Sequence, residues 1–426
     1  MRKVLFVAHN HSSTRPGGME LYAEELYAAL RETRRYDPLY VAKVGPPLTP
    51  DRAYEGTRFA LGDGDPNLHF IFTERSEFNA VMGTARHKSL YTEDWRAFLR
   101  AHEPELVHFH HMHWLGYDMI RETRRALPNA VLLYTLHDFN PICHHNGQMV
   151  RRPTLEPCEH ASPRRCHQCF PEIPAQTFFL RQTFIKSTLE LIDQFITPSE
   201  HARRRYIEWG IPAEKIIHED YGRIPVSALP DPPNAGERRR IGFFGQITPF
   251  KGVDVLLQAM KLALAGGTKV ELTIHGANLE HQRPDFRERI EALIGETSNS
   301  VRFAGAYQQG ELPALMSAVD WVVVPSIWSE TGPLVIHEAK LHRRPVICSN
   351  IGAMPERITD GVNGLHFRTG DPYDLANVIE RAVTTPRLFK RLQAAIAAPY
   401  PMSEHLTKID AVYEELLDRA GGPVTA

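Results

Sequence analysis

The chain has 426 residues, with 49 lysines and arginines against 51 aspartates and glutamates, and 42% of it is hydrophobic. That length suits two or three domains at roughly 150 residues each, and the composition excludes a disordered or fibrous chain and lacks the basic excess of a dedicated nucleic-acid binder. The sequence holds no apolar run of the roughly 18 residues a membrane span needs, and Val4 to Ala8 is too short for a signal-peptide core, so the expected compartment is the cytoplasm.

Val4 to Ala8 reads as a strand, followed by a loop holding Gly17-Gly18 and a helix from Met19 to Leu30 with Leu21, Glu25 and Ala28 on one stripe. Strand-like runs recur at Leu106–Phe109, Val131–Leu136 and Phe195–Thr197, separated by helical stretches such as Asp94–His102 and Tyr117–Leu127. Strands alternating with helices predict βαβ units and a parallel sheet, because parallel strands need long crossovers. From Ile224 the pattern breaks: four prolines in 13 residues argue against a helix or central strand and mark a linker. The alternation restarts with a strand at Ile241–Phe244, a helix at Val253–Leu264 and a strand at Glu271–His275. Trp321–Val324, Leu334–Leu341 and Pro345–Cys348 continue it as strand, helix and strand, and Glu404–Leu417 is helical in pattern. The fold class is therefore α/β, with two Rossmann-like parallel-sheet domains facing across a cleft, since open sheets bind ligands beyond the carboxyl ends of their strands. The expected boundaries are 1–222 for the first domain, 223–238 for the linker, 239–400 for the second domain and 401–426 for a closing helix.

Three motifs sit between a strand and the helix after it. Gly17-Gly18-Met19-Glu20 lets the backbone approach a ligand at a helix N-terminus, where amides and the helix dipole favour an anion. In Gly245-Gln246-Ile247-Thr248-Pro249-Phe250-Lys251-Gly252, the lysine can meet a diphosphate as a point charge. The third motif runs from Pro325 to Glu338 and spaces Glu330 and Glu338 by seven residues around the turn Thr331-Gly332-Pro333-Leu334. Carboxylates accept hydroxyl protons, so such a pair suits a sugar ring and a ribose, while the turn offers its amides to phosphate.

In this order and spacing the motifs resemble glycosyltransferase family 4 on the GT-B fold. The resemblance also takes in Ser199-Glu200, Pro355-Glu356 and Asp360-Gly361-Val362-Asn363-Gly364, and runs over nearly the whole chain. It implies a retaining enzyme that moves a sugar from a UDP- or GDP-sugar to a hydroxyl acceptor (a saccharide, a glycolipid or a small molecule) without a catalytic divalent metal. By position, Gly17 and Gly18 would face the donor phosphates, Lys251 would neutralise the leaving diphosphate, Glu330 would bind sugar hydroxyls and Glu338 the ribose. His137, at the end of a strand in Leu136-His137-Asp138, matches the histidine beside the transferred sugar. His137, Lys251 and Glu330 are thus the catalytic candidates, and the terminal helix is expected to cross back to the first domain. One departure stands out. The family usually carries arginine at the place of Gln246, so one cation is missing, with Arg223 and Arg2 as the candidate replacements.

The fold does not account for Cys143, Cys158, Cys166 and Cys169, which fall in a segment, 141–174, poor in core residues. Four thiolates with one CxxC suit a structural zinc, and an iron–sulfur cluster takes the same ligands; His144, His145, His160 and His167 could replace one. A metal there would shape the acceptor side of the cleft. Cys348 reads as a small core residue. Phe178–Lys186 is read as a domain helix, with a peripheral membrane contact as its alternative. His108, His110, His111 and His113 read as cleft or surface residues, and Asp63-Gly64-Asp65 as a turn. Two competing readings remain: a nucleotide-sugar 2-epimerase on the same architecture, and a weakly active sugar-nucleotide-binding subunit.

Overall fold

The computed structural model describes residues 1–14, 17–44, 58–62, 64–73, 77–86, 89–152, 154–226 and 237–421. Asp63 and most of the expected linker, residues 227–236, lie outside the described residues. The chain divides into two compact units, one of residues 1–147, 158–224 and 400–426, the other of residues 148–157 and 225–399.

The first unit is built on an eight-stranded sheet. Its strands are β1 (Arg2–Ala8), β2 (Tyr36–Val44), β3 (Phe59–Gly62), β4 (Asp65–Phe72), β5 (Leu106–Phe109), β6 (Val131–Thr135), β7 (Gln194–Thr197) and β8 (Ile216–His218). They lie in the order β8-β7-β6-β5-β1-β2-β4-β3. All neighbours are parallel except β3 and β4. Val4 to Ala8 are fully buried, as an uninterrupted apolar strand must be when helices cover both faces of a parallel sheet. Helix α1 (Gly18–Glu32) buries Tyr22, Ala23, Leu26, Tyr27 and Leu30. The stripe expected at Leu21, Glu25 and Ala28 is thus off by one position; Ala28 is exposed, and the tyrosines carry the apolar face instead.

The second unit holds a six-stranded, all-parallel sheet of β9 (Arg240–Phe244), β10 (Glu271–His275), β11 (Val301–Gly305), β12 (Trp321–Val324), β13 (Val346–Ser349) and β14 (Gly364–Phe367). The order is β11-β10-β9-β12-β13-β14. Successive residues of each strand feed opposite cores. Phe243, Trp321, Val323 and Ile347 pack on one face, and Phe244, Val322, Val324 and Cys348 on the other. That places Cys348 in the core, as read. The strand order reverses beside β9, and ligands bind where the carboxyl ends of such strands diverge. Among the described residues, no helix is long and apolar enough to cross a membrane.

Candidate active site

In the second unit the site grows from the carboxyl ends of β9 and β12. After β9 the chain turns through Gly245, exposed Gln246 and a short turn, Pro249–Lys251, to Gly252. Gly252 has φ 67°, and a Cβ there would run into the carbonyl of Pro325, so only glycine lets the loop after β12 lie this close. The Ile327 amide donates to the Phe250 carbonyl at 2.9 Å and ties the two segments together. Three donors then converge on one oxygen, Oε1 of Glu330: Lys251 Nζ at 2.6 Å, Ser326 Oγ at 2.7 Å and Trp328 Nε1 at 2.8 Å. The ammonium also lies 5.3 Å from the centroid of the Trp328 ring, within cation–π range. Among the described residues, Glu330 Oε2 has no protein partner, which leaves it to accept from a ligand hydroxyl.

The backbone of Glu330 is held as firmly. Its carbonyl accepts from the Ala353 amide at 2.8 Å, and a Cβ on Gly352 (φ 65°) would crowd its N and O at 2.7 and 2.6 Å. Ser349 Oγ donates to the Ser326 carbonyl at 2.7 Å. Thr331, Gly332 and Pro333 lead directly into α2 (Leu334–Leu341), whose Pro333 cap supplies no side-chain acceptor. Its first amides therefore point out of the helix unmet by a cap, an end that attracts anions. Glu338 lies on this helix, buried, with Gln309 Nε2 3.5 Å from its Oε1. Lys251, Glu330 and the Thr331–Leu334 turn are thus brought together in one place. Arg223 and Arg2, the candidates for the cation missing at Gln246, are engaged within the first unit. Arg223 pairs with Glu25 at 3.0 Å, and Arg2 with Glu105 and Asp418 at 3.5 and 3.4 Å.

In the first unit Gly17 caps α1 in an extended conformation, without a side-chain cap. A Cβ at Gly17 would collide with the carboxylate of Glu20 in the first turn of the helix. Glu20 is 6% exposed. Burial pushes its carboxyl up to about 7, although His9 Nε2 stands 3.5 Å away. His137 lies just past β6. Its Nδ1 is 2.6 Å from the Tyr221 hydroxyl and its Nε2 3.2 Å from His110 Nδ1. Burial, and then the neighbouring His110 and His111, hold it well below the usual histidine range, so the ring is neutral. Burial opposes a charge on His111 too, but the Asp138 carboxylate 2.6 Å away outweighs it and raises its pKa, while His111 lowers that of Asp138. Each group thus favours the charged form of the other. His108, on β5, and His110, just past its end, are buried and not on a surface, with His108 bridging Tyr413 and Thr135 at 2.7 Å each.

The four-cysteine metal site is not formed. Among the described residues, no group of three or more His, Cys, Asp or Glu side chains is placed to hold a metal ion, and none of the five cysteines is in a disulfide. Cys166 and Cys169 are one turn apart on a short helix, Pro163–Cys169. Burial raises the pKa of the Cys158 thiol and pushes that of Cys166 up to about 11. The hydrogen bond of Cys158 Sγ goes to the carbonyl of His160.

Both halves of the chain match known families. Residues 16–218 match the model of "Glycosyltransferase Family 4" and residues 238–385 that of "Glycosyl transferases group 1". Each half of the chain thus matches a glycosyltransferase model, and its fold is that of the GT-B enzymes. It is 27% identical over 183 residues to a D-inositol 3-phosphate glycosyltransferase of Corynebacterium aurimucosum, an alignment covering 42% of this chain and 43% of that protein. The chain thus spans less than half the length of that curated relative. Among solved structures it is similar to sucrose-phosphate synthase from Thermosynechococcus elongatus (TM-score 0.73, 20% identity, 98% of this chain and 100% of that one). It is also similar to Anabaena Alr3699/HepE in complex with UDP-glucose (TM-score 0.65, 18% identity, 97% and 100%). These two likenesses are of fold. No residue-by-residue role follows from them, and the partners of the site (Ser326, Trp328, Gln309, Tyr221, His110) are not assigned by the sequence motifs. Ser326 and Trp328 lie inside the third motif, and their side chains matter only because the loop folds back on Glu330.

Proposed function

We propose that this glycosyltransferase moves a sugar from a UDP- or GDP-sugar to a hydroxyl acceptor with retention of anomeric configuration and without a divalent metal at the diphosphate. The observation that carries the reading is the convergence of Lys251, Ser326 and Trp328 on one oxygen of Glu330 beside an uncapped helix start. A carboxylate fixed through Oε1 keeps Oε2 for sugar hydroxyls. The ammonium beside it and the amides of Gly332, Leu334 and Val335 meet a departing diphosphate. In such a transfer positive charge grows on the sugar and negative charge on the phosphate, so groups preorganised around the second charge stabilise the transition state more than the ground state. The same reading assigns Glu338 to the ribose, and Gly17, Gly18 and His137 to the donor's phosphates and sugar. A phosphate oxygen takes the acceptor proton, so no side chain is assigned as general base.

The test is turnover of a panel of UDP- and GDP-sugars by the purified chain. Lys251→Ala and Glu330→Ala should each lose on the order of 100-fold or more in turnover, the scale of removing one preorganised electrostatic group. Either variant folding normally and turning over at the wild-type rate would remove that residue from the mechanism.

A further inference from the structure

Just after His137 and Asp138 the chain turns through Asn140 and Pro141, and both of their carbonyls accept from one guanidinium. Arg181, on the helix Ala175–Leu189, donates through Nη2 to Asn140 O at 2.7 Å and through Nη1 to Pro141 O at 3.0 Å. Arg181 is 5% exposed, and its Nε is buried without a hydrogen-bond partner. Among the described residues no carboxylate pairs with it. Burial pulls its pKa down, and the groups that favour its charge are Tyr117, Cys143, Cys166 and Tyr206. Burial raises Tyr117, Cys166 and Tyr206 in turn, so none of those three is an anion near neutral pH. A cation taken out of water without a counter-charge is strongly unfavourable.

The same arginine lines a small cleft in the first unit. His113, Trp114, Tyr117, Asn140 and Asn146 stand around it. Trp114 (φ 59°) and Asn146 (φ 48°) both hold left-handed backbone that non-glycine residues adopt at a cost, a feature that gathers at binding sites. Asn140 is fixed from two sides, by Tyr117 OH donating to its Oδ1 at 3.1 Å and by its Nδ2 lying 3.2 Å from His113 Nδ1.

We propose that this cleft is an acceptor subsite for an anionic group, with Arg181 as its counter-ion: the acceptor carries a phosphate or a carboxylate as well as the hydroxyl that is glycosylated. This rests on the reading of the chain as a sugar transferase and narrows its acceptor class. Nε–H and the second hydrogens of the terminal nitrogens supply the fork that two oxygens of such an anion need.

The probes are inorganic phosphate and acetate, added to the full chain at constant ionic strength against chloride, with UDP saturating so that a donor-phosphate site is filled. At least one of the two should raise the thermal midpoint of the wild type saturably, and which one does so separates phosphate-bearing from carboxylate-bearing acceptors. Arg181→Gln should abolish that rise while keeping the response to UDP. Asn146→Asp, which sets a carboxylate in the cleft, should weaken the anion's apparent affinity at least ten-fold and decides the matter should Arg181→Gln not fold. No rise with either anion in the wild type, an equal rise in Arg181→Gln, or an unchanged affinity in Asn146→Asp would overturn the assignment. A chain that ignores UDP but keeps the Arg181-dependent response would instead overturn the donor reading alone.

Discussion

Glu20 shows how much one buried carboxyl can weigh on the molecule. It sits in the first turn of α1 against Gly17, where the helix end favours negative charge, yet burial dominates and lifts its pKa from 4.5 to about 7. A carboxyl raised in the folded state binds more protons there than in the unfolded chain, so stability falls as pH rises between these two values. The shift of about 2.5 units corresponds to about 3 kcal/mol. Glu20→Gln cannot ionise, so its stability relative to wild type should grow by roughly that amount between pH 4.5 and 7 and then level off. Denaturant midpoints of both proteins from pH 4.5 to 8 measure it, and a difference that does not vary with pH would mean that the carboxyl is not desolvated. Glu330 and Lys251 were legible in the sequence as candidates because they lie in loops between a strand and a helix. Their direct bond was not, since it joins residues 79 apart. His137 was legible in the same way, whereas Tyr221 and His110, which fix its ring, stand 84 and 27 residues from it.

At the scale of elements, the site depends on two turns touching. Gly252 begins the helix Val253–Ala265 in a left-handed conformation, and the space a Cβ would take is occupied by main chain of the Pro325 loop. Backbone cannot swing aside as a flexible side chain can. Gly252→Ala should therefore cost about 1–3 kcal/mol in stability, and it should push the loop carrying Ser326, Trp328 and Glu330 away from Lys251. Misplacing positioned groups by about 1 Å can cost on the order of 100-fold in rate, so turnover should fall further than stability predicts. A variant with normal turnover and an unchanged melting point would show that the loop has room. Sequence pattern located the helix and the loop here, because a glycine between a strand and an amphipathic run has few other uses. It could not show which main chain approaches that glycine. Likewise the period of α1 was readable but its phase was not: Tyr22 and Tyr27 count as polar or apolar only once their hydroxyls have partners, such as Asp65 at 2.8 Å for Tyr27.

At the scale of the whole chain, the parallel sheets were legible because strands covered on both faces are continuous apolar runs. β2 and β4 escaped notice: Tyr36–Val44 holds Asp37, Pro38 and Lys43, and Asp65–Phe72 alternates polar residues toward an edge. The cysteine segment misled because spacing in sequence carries no information on where thiols point. The C-terminal helix, Met402–Gly421, raises the last question, because it is the most distant part of the sequence and yet belongs to the first unit. Tyr36 OH donates to Asp410 at 2.6 Å and Glu414 at 2.9 Å, Arg35 pairs with Asp410, His108 meets Tyr413, and His405 bonds both Tyr22 and Glu219. Ile409, Tyr413, Leu416 and Leu417 are buried as well. Deleting residues 400–426 would remove these four buried side chains, expose the surface they cover and take away the partners of His108, Tyr22 and Tyr36, at a cost of several kcal/mol at about 1.5–3 per buried apolar side chain. The second unit, which takes none of its residues from beyond Pro399, should be spared. Hydrogen exchange on the truncated chain should therefore speed up across β1, β5 and β6 while β9, β12 and β13 keep their protection. Equal acceleration in both sheets, or none in the first, would show that the terminal helix does not serve the first unit in this way.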